Sequence, residues 1–513
     1  MRRRPSPPRR LAPGPPLLLA VLIAATSAGA GLAQVSGVDQ LRLPPPPRFE
    51  IPQPRRVVLD NGMVVMLLED HELPLVTVTA LLRTGSRLDP PAKLGLAALA
   101  GELMRTGGIT RRDGLPAGPG GPAAKGVPGS AGGLSGDAID DQLEAHAAGI
   151  EVSIGGDSGG AILSCLKEDF SGLLPVLAGM LRHPAFEPAK LNLAKDLAKA
   201  RLERENDDPE RILWRELGRL VYGPDSAYGR TPTFATVDAV DRADLVDWHA
   251  RNLRPDRVVL GVVGDVGAEE ALAAVRAIFG DWQGGADKPP AVEALPYRRQ
   301  PNPGLFAIDK SDMSQSEVAM GHLGIVKSDP DFFAVEVLDE LLSGSFASRL
   351  VADVRTEKGL AYAVDGRVGS EWDHPGVAAF YLSTKVRSTA AGIAALLGEA
   401  RDLTARPPTD AEVARAKQAI LASFVFHSDS RAKVLDQQLT FELYHYPADW
   451  LARYRDGIEA VTTAAVRQAA ARHLHPDQFT ILVVGPGESA DRSLAPFGKL
   501  TPLPLPDVTG ARR

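Results

Sequence analysis

Apolar and polar residues alternate through LVTVTALLRTGS (75–86), the period-two pattern of a strand with one buried face. Just upstream, RVVLDNGMVVMLLED (56–70) holds two Val-rich runs joined at Asn61-Gly62. That pair tolerates the positive φ of a tight turn, so the pattern predicts a β-hairpin. The period then lengthens. In GLAALAGELMRTGG (95–108), Leu96, Leu99, Leu103 and Met104 recur at helical spacing before a Thr-Gly-Gly stop, which predicts a helix over 95–106 packed by one face. Further on, IEVSI and AILSCL alternate again, and the Gly-rich stretch between them reads as a turn.

A longer repeat organises the chain. VDAVDRADLVDWHARNLRPDRVVLGVVGDV starts at Val237 and IEAVTTAAVRQAAARHLHPDQFTILVVGPG at Ile458. Both read as a helix, a Leu-x-Pro-Asp turn, a buried strand and a glycine. Leu253 matches Leu474 and Gly264 matches Gly485, at the same offset in both pairs. One supersecondary unit therefore occurs twice. The expected fold is α+β, with two homologous halves, each a mainly antiparallel sheet flanked by helices.

The segments between follow from composition. Residues 1–33 combine a basic start with an apolar stretch ending in small residues, which predicts a signal peptide cleaved after Ala33 or Ala30, or retained as an anchor. Residues 34–54 read as a Pro-rich linker. The first half is expected over 55–275, with a Gly/Pro-rich insertion at about 107–137. A linker over 276–304, a second half over 305–490 and a tail over 491–513 complete the division.

The net charge of −7 offers no basic field for nucleic acid. Cys165 is the only cysteine, so no intrachain disulfide can form, and it reads as a small buried thiol. Export without disulfides points to a bacterial periplasm.

The second half contains LDELLSGSFASRLVADVRTEKGLAYAV (338–364). This stretch resembles the second-half signature of the pitrilysin/insulinase zinc peptidases, the inverzincins: a small-residue loop, Ser-Arg-Leu, then Arg-x6-Tyr with Gly-Leu before the Tyr. Further matches follow in family order, among them DNGMVVMLLED, RTGSRLDPPAKLGLA and NDDPERI, over about residues 55–490. The resemblance implies two halves facing each other as a clam-like chamber.

It also implies a loss. The family places His-x-x-Glu-His just after Gly-Leu-Ala, and in that register Ala98 and Glu102 stand for the two histidines and Gly101 for the general base. Arg201 stands at or next to the third, acidic ligand. Zinc needs about three lone-pair ligands to activate water, and alanine supplies none. Glu102 beside Arg201 is expected to form an ion pair instead. No cofactor is expected in this chain.

What the resemblance retains is Arg355 and Tyr362, which in the family reach a substrate carbonyl, with Gly344, Ser345 and Phe346 in the loop facing the substrate. Without it, Arg355 would pair with Asp353 or Glu357, and Tyr362 would be a half-buried strand residue. The family includes paired subunits, one carrying zinc and the other the Arg/Tyr pair. The expectation is thus a non-catalytic subunit of an exported heteromeric zinc peptidase. Its partner would be a homologous chain with the zinc motif, its ligands would be peptides, and the mature protein would keep no membrane span. The alternative is a peptidase-like scaffold with no part in proteolysis.

Two other motifs carry less. GGDSGG (155–160) resembles the nucleophile segment of chymotrypsin-like proteases, but only His71 and His146 precede Ser158, and helices run through both halves. His473-x-His475 ends a helix before Pro476 and reads as a C-terminal charge effect.

Overall fold

The computed structural model describes residues 52–110, 133–284, 302–486, 494–507 and 509. The signal segment and most of the linkers lie outside them. In the first half the order is β1 (Arg55–Val58), β2 (Val64–Glu69), β3 (Leu75–Leu82), α1 (Leu96–Thr106), α2 (Gly136–Ala145), β4 (Gly149–Ile154), β5 (Gly159–Leu166), α3 (Phe170–Arg182), α4 (Pro188–Glu203), α5 (Pro209–Tyr222), α6 (Phe234–Asp238), α7 (Arg242–Asn252), β6 (Val258–Gly264) and α8 (Ala268–Phe279). The second half runs β7 (Gly304–Asp309), β8 (Gln315–Leu323), β9 (Ile325–Val326), α9 (Phe332–Ser343), a π-helix (Val351–Glu357), β10 (Ala363–Arg367), β11 (Ser370–Glu371), β12 (Val377–Lys385), α10 (Thr389–Ala405), α11 (Asp410–Phe424), α12 (Arg431–Leu443), α13 (Trp450–Ala460), α14 (Thr463–His473), β13 (Thr480–Gly485) and β14 (Leu500–Leu503).

Each half builds a six-stranded sheet, ordered β1-β2-β6-β3-β5-β4 and β14-β7-β13-β8-β12-β10. Both are mixed but mainly antiparallel, with β2·β6, β13·β7 and β14·β7 parallel. The duplication extends to register. Glu69 pairs with Gly264 in one sheet and Asp309 with Gly485 in the other. Likewise Leu81 pairs with Val259, and Gly321 with Thr480. From the first sheet to the second, β2 and β3 shift by one common offset, and β6 shifts by the offset already visible in the sequence repeat. The Asn61-Gly62 hairpin forms, with Gly62 at φ 87° and its N–H donating to Leu59.

Three expected boundaries move. Position 275 falls inside α8, whose end is held by the Asn61 side chain donating to the Phe279 and Trp282 carbonyls. The Gly/Pro-rich insertion is shorter than 107–137, because Ile109 is fully buried and bridges to Leu134 and Pro184, and α2 starts at Gly136. Only its central part, 111–132, lies outside the described residues. The tail is no appendage to the fold: β14 extends the second sheet.

One face of each sheet packs on its own half's helices. Val78, Ala80, Leu163 and Leu260 meet Leu99, Leu103, Leu174 and Leu177 in the first half. Val318, Met320, Phe380 and Val483 meet Leu338, Leu396 and Val466 in the second. The other face of each sheet is covered by a helix from the opposite half. Leu435, Leu439 and Leu443 of α12 pack on Met66, Val259 and Val263. Ile212, Leu213, Leu217 and Val221 of α5 pack on Ile308, Ala319, Leu482 and Val484. Gly261 lets α12 approach, since a Cβ there would lie 2.7 Å from Leu439 Cδ1. α5 starts where its sequence directs, with Asp208 accepting the Glu210 N–H at 2.9 Å and Pro209 at the first turn.

Polar ties close the exchange. Arg56 forks onto Glu442 at 2.9 and 2.8 Å. Buried Arg87 donates to Asp373 of the other half at 2.7 Å and to Asp157 at 3.4 Å. His374 stacks on Tyr228 with ring centroids 4.0 Å apart, and the Tyr222 hydroxyl donates to the Pro375 carbonyl. Lys327, which matches Arg87 at the β2–β3 offset, lies over the rings of Phe332 and Trp372 instead.

If the exchange holds the first sheet together, Leu439→Ala should cost about 3 kcal/mol, as buried leucine truncations do. Hydrogen-exchange mass spectrometry should then show faster exchange in β2 and β6, although the substitution lies in the second half. Faster exchange confined to the second half would contradict this.

Candidate functional site: a zinc-incompetent helix and an exposed Arg-Phe-Tyr surface

Helix α1 begins at Gly95, which adopts φ 100°. Its first N–H groups are taken by buried Asp89, which accepts from Gly95 and from Ala97 at 3.0 Å each. Burial pushes the Asp89 carboxyl up to about 7, against the pull of those backbone donors. One face of the helix is buried through Leu96, Leu99, Leu103 and Met104.

The positions matched to a zinc motif divide three ways. Ala98 is exposed and Gly101 buried. Glu102 is half-buried, with Oε2 3.3 Å from Nη1 of Arg201 on α4. A Cβ at Gly101 would lie 2.9 Å from both the backbone nitrogen and Cγ1 of Ile154 on β4. Helix α1 therefore lies too close to β4 for a side chain at 101, let alone a glutamate. Arg105 strengthens that contact by donating from Nε to the Ile150 carbonyl at 2.5 Å. These residues do not fit zinc: one position lacks a lone pair, one lacks room, and the remaining carboxylate faces a guanidinium.

The second candidate region begins where α9 ends. The Gly344 N–H donates to the Glu340 carbonyl, and Ser348 closes the loop by donating from Oγ to the Ser345 carbonyl at 2.5 Å. Arg349 then forks onto Glu412, Nε to Oε1 at 2.8 Å and Nη2 to Oε2 at 3.1 Å. Leu350 is fully buried. In Ser-Arg-Leu, then, each residue anchors the loop. Glu412 also closes a capping box with Thr409 at the start of α11. The Arg349 hydrogen bonds, helped by Thr409, bring the Glu412 carboxyl down to about 2.

The chain continues as the π-helix Val351–Glu357. Such turns are rare and gather at functional sites. Arg355 projects from it, exposed, with Cζ 5.7 Å from the Phe346 ring centroid. The salt bridge with Asp353 is not made, because Asp353 is taken by Lys358. Tyr362 is no half-buried strand residue: its N–H donates to the Ser383 carbonyl at the start of β10, and its side chain is 76% exposed. Phe346 is 80% exposed. These two are the most exposed large hydrophobic residues among those described, and Gly344 and Ser345 beside them are also exposed.

Sequence reasoning missed what lies beneath. Glu317 of β8 is buried and accepts from Ser383 Oγ at 2.9 Å and from the Tyr381 hydroxyl at 2.8 Å. Burial raises its carboxyl above the ordinary range. Ser383 thus meets Glu317 with its side chain and Tyr362 with its carbonyl. No local sequence signal marks this pair, whereas Thr409-x-x-Glu412 was readable as a capping box.

The other motifs resolve simply. GGDSGG is the β4–β5 turn, with Gly155 donating to the Ser158 carbonyl. His71 bonds Asp265 and His146 bonds Asp169, so neither serves Ser158. His473 pairs with Asp331 at 2.7 Å, and Arg472 shares that carboxylate. Among the described residues, two groups could offer a metal three ligand atoms: Asp329, Asp331 and His473, and Asp157, Asp373 and His374. Arg472 already occupies the first and Arg87 the second. Cys165 is buried, and burial pushes its thiol up to about 11.

A family model described as the peptidase M16 inactive domain matches residues 239–420. That span includes Phe346, Arg355 and Tyr362 and stops short of α1. The chain is 32% identical over 178 residues to an uncharacterized zinc protease of Mycobacterium leprae, covering 34% of this chain and 39% of that one. It is 20% identical over 348 residues to a probable mitochondrial-processing peptidase subunit beta of Arabidopsis thaliana, covering 63% and 62%. The chain thus spans less than two thirds of either relative. A crystal structure of a peptidase M16 inactive domain from Pseudomonas fluorescens shares the fold, with a TM-score of 0.70 at 23% identity over 85% of this chain and 98% of that one. No helix among the described residues is long and apolar enough to cross a membrane.

Two outcomes follow from this geometry. Rebuilding the motif with Ala98→His, Gly101→Glu and Glu102→His should not yield a zinc site. It should instead lower stability by about 1–3 kcal/mol through overpacking against β4. Thermal melts with metal analysis check this, and stoichiometric zinc at unchanged Tm would refute it. For the loop, the Glu412 carboxyl is depressed in the fold, so its contribution is present above the unfolded value of 4.5 and is lost as pH falls towards about 2. Glu412→Gln should cost about 1–2 kcal/mol at pH 7, solvent screening included, and remove that part of the acid limb. Denaturant titrations from pH 7 to pH 2 read both, and parallel curves for the two proteins would contradict the assignment.

Proposed function

We propose, because the chain belongs to the pitrilysin/insulinase-like M16 peptidase family and is of the inactive type, that it is a non-catalytic subunit of a heteromeric zinc peptidase. In this reading it binds extended peptides and lends Arg355 and Tyr362 to the zinc site of a homologous partner. The observation that carries it is the contrast within one chain. The helix matched to the metal motif is packed too tightly to hold one, while Arg355 on the π-helix and Tyr362 at the start of β10 stand exposed.

The chemistry required of each group is modest. A guanidinium and a phenol supply N–H and O–H donors, and such donors stabilise the negative charge that develops on a scissile carbonyl oxygen. Arg349–Glu412 and the Ser348 contact fix the loop that leads into the π-helix carrying Arg355, and the Ser383 carbonyl holds the Tyr362 backbone, which is preorganisation of the kind such donors need. Zinc, held by the partner, would supply the activated water. The leader-like stretch from Met1 to Ala33 supports an exported, periplasmic setting. The name of the Arabidopsis relative, a peptidase subunit, supports heteromeric assembly.

Co-expression with a homologous chain carrying His-x-x-Glu-His should give a stable complex that cleaves peptides and loses activity to a chelator. In that complex Arg355→Ala and Tyr362→Phe should each lower kcat/KM by about 10²-fold, the usual cost of an oxyanion donor. Unchanged turnover would remove the role in trans. A stable complex without peptidase activity would favour a scaffold.

A further inference from the structure

We propose that the Phe346–Arg355 stack selects which peptide segments this surface takes: those presenting a large apolar side chain next to a carboxylate. The inference rests on the peptide-binding reading above and sharpens it to a substrate class.

Three observations carry it. First, Phe346 keeps its ring in solvent although the loop around it is tied at both ends. A large apolar ring held outward on an anchored loop is available to a ligand, and aromatic rings are enriched where proteins make contacts. Tyr362, at the start of β10, is a second exposed ring. Second, Arg355 lies against Phe346 and has no carboxylate partner among the described residues. Asp353 is neutralised by Lys358, and Asp365 accepts from Ser343. Glu357, two residues on, is exposed, and residues two apart along a helix do not face each other. The guanidinium thus keeps its N–H donors for a carboxylate that a ligand brings. Third, aromatic residues and arginine are the types that dominate binding hot spots, and a guanidinium prefers a bidentate carboxylate.

An apolar side chain laid on Phe346 would exclude water from one side of Arg355. That strengthens a charge-assisted hydrogen bond to a neighbouring acidic side chain or C-terminal carboxylate. A basic neighbour would meet the unneutralised guanidinium and be repelled. The apolar contact and the charge preference thus reinforce each other at adjacent ligand positions.

The test is fluorescence anisotropy on the full chain alone, with labelled extended peptides that pair Phe with Asp, Phe with Lys, or Ser with Asp at one central site. The Phe-Asp peptide should bind about tenfold more tightly than either of the others. Phe346→Ala should erase the advantage of Phe over Ser, and Arg355→Glu should reverse the preference between Asp and Lys. Phe426→Ala removes a ring that is 65% exposed elsewhere and should change neither. Equal affinity for the three peptides, or a preference that survives Phe346→Ala, overturns the inference. The reading in trans is tested separately by cleavage with the partner. Selective binding without Arg355-dependent cleavage would sink that reading alone. Arg355-dependent cleavage with indifferent binding would sink this one alone.

Discussion

The reciprocal exchange of α5 and α12 is the constraint on which the rest of the molecule depends. A six-stranded sheet with apolar residues on both faces needs two covers, and each half supplies only one from its own helices. The missing cover comes from the other half, through Leu435, Leu439 and Leu443 in one direction and Ile212, Leu213, Leu217 and Val221 in the other. Neither sheet is complete without the opposite half, so the two must be ordered as one body. The Arg87–Asp373 and Arg56–Glu442 pairs lie on this junction and fix its register.

Within that rigid frame the two candidate regions differ. On the first half, α1 buries a leucine face and leaves no room for a side chain at Gly101, which sits against Ile154, while Arg201 faces Glu102. On the second, the loop after α9 is pinned by Ser348 and Arg349 while Phe346, Arg355 and Tyr362 remain outside the core. Burial of the α1 leucines contributes far more to folding than its polar face does. The Phe346 ring meets Arg355 but otherwise stays in solvent, so it remains available to a partner.

Legibility differed by residue type. Phe346, Arg355 and Tyr362 were singled out because they lie in one recognisable stretch, and the structure places Arg355 against Phe346. Its supports split. Glu412 could be read from the Thr-x-x-Glu spacing. Glu317 could not, because it reaches Ser383 only through strand pairing between distant parts of the chain. The junction of Arg87, Asp157, Asp373 and His374 was likewise invisible, since its members come from separate hairpins and meet only when the halves are joined.

From sequence alone came the α+β class, the duplication, the hairpin at Asn61-Gly62, the amphipathic α1 and the absence of lone pairs at Ala98 and Gly101. All of these are set by local periodicity, turn chemistry or residue identity, which a linear chain displays. The tertiary structure alone decided that α8 and β14 belong to the halves they flank, that α5 and α12 change sides, and that Gly101 has no room for a side chain. These depend on which surfaces meet between segments far apart in the chain, and hydrophobic patterning records only that a face is buried, not what buries it.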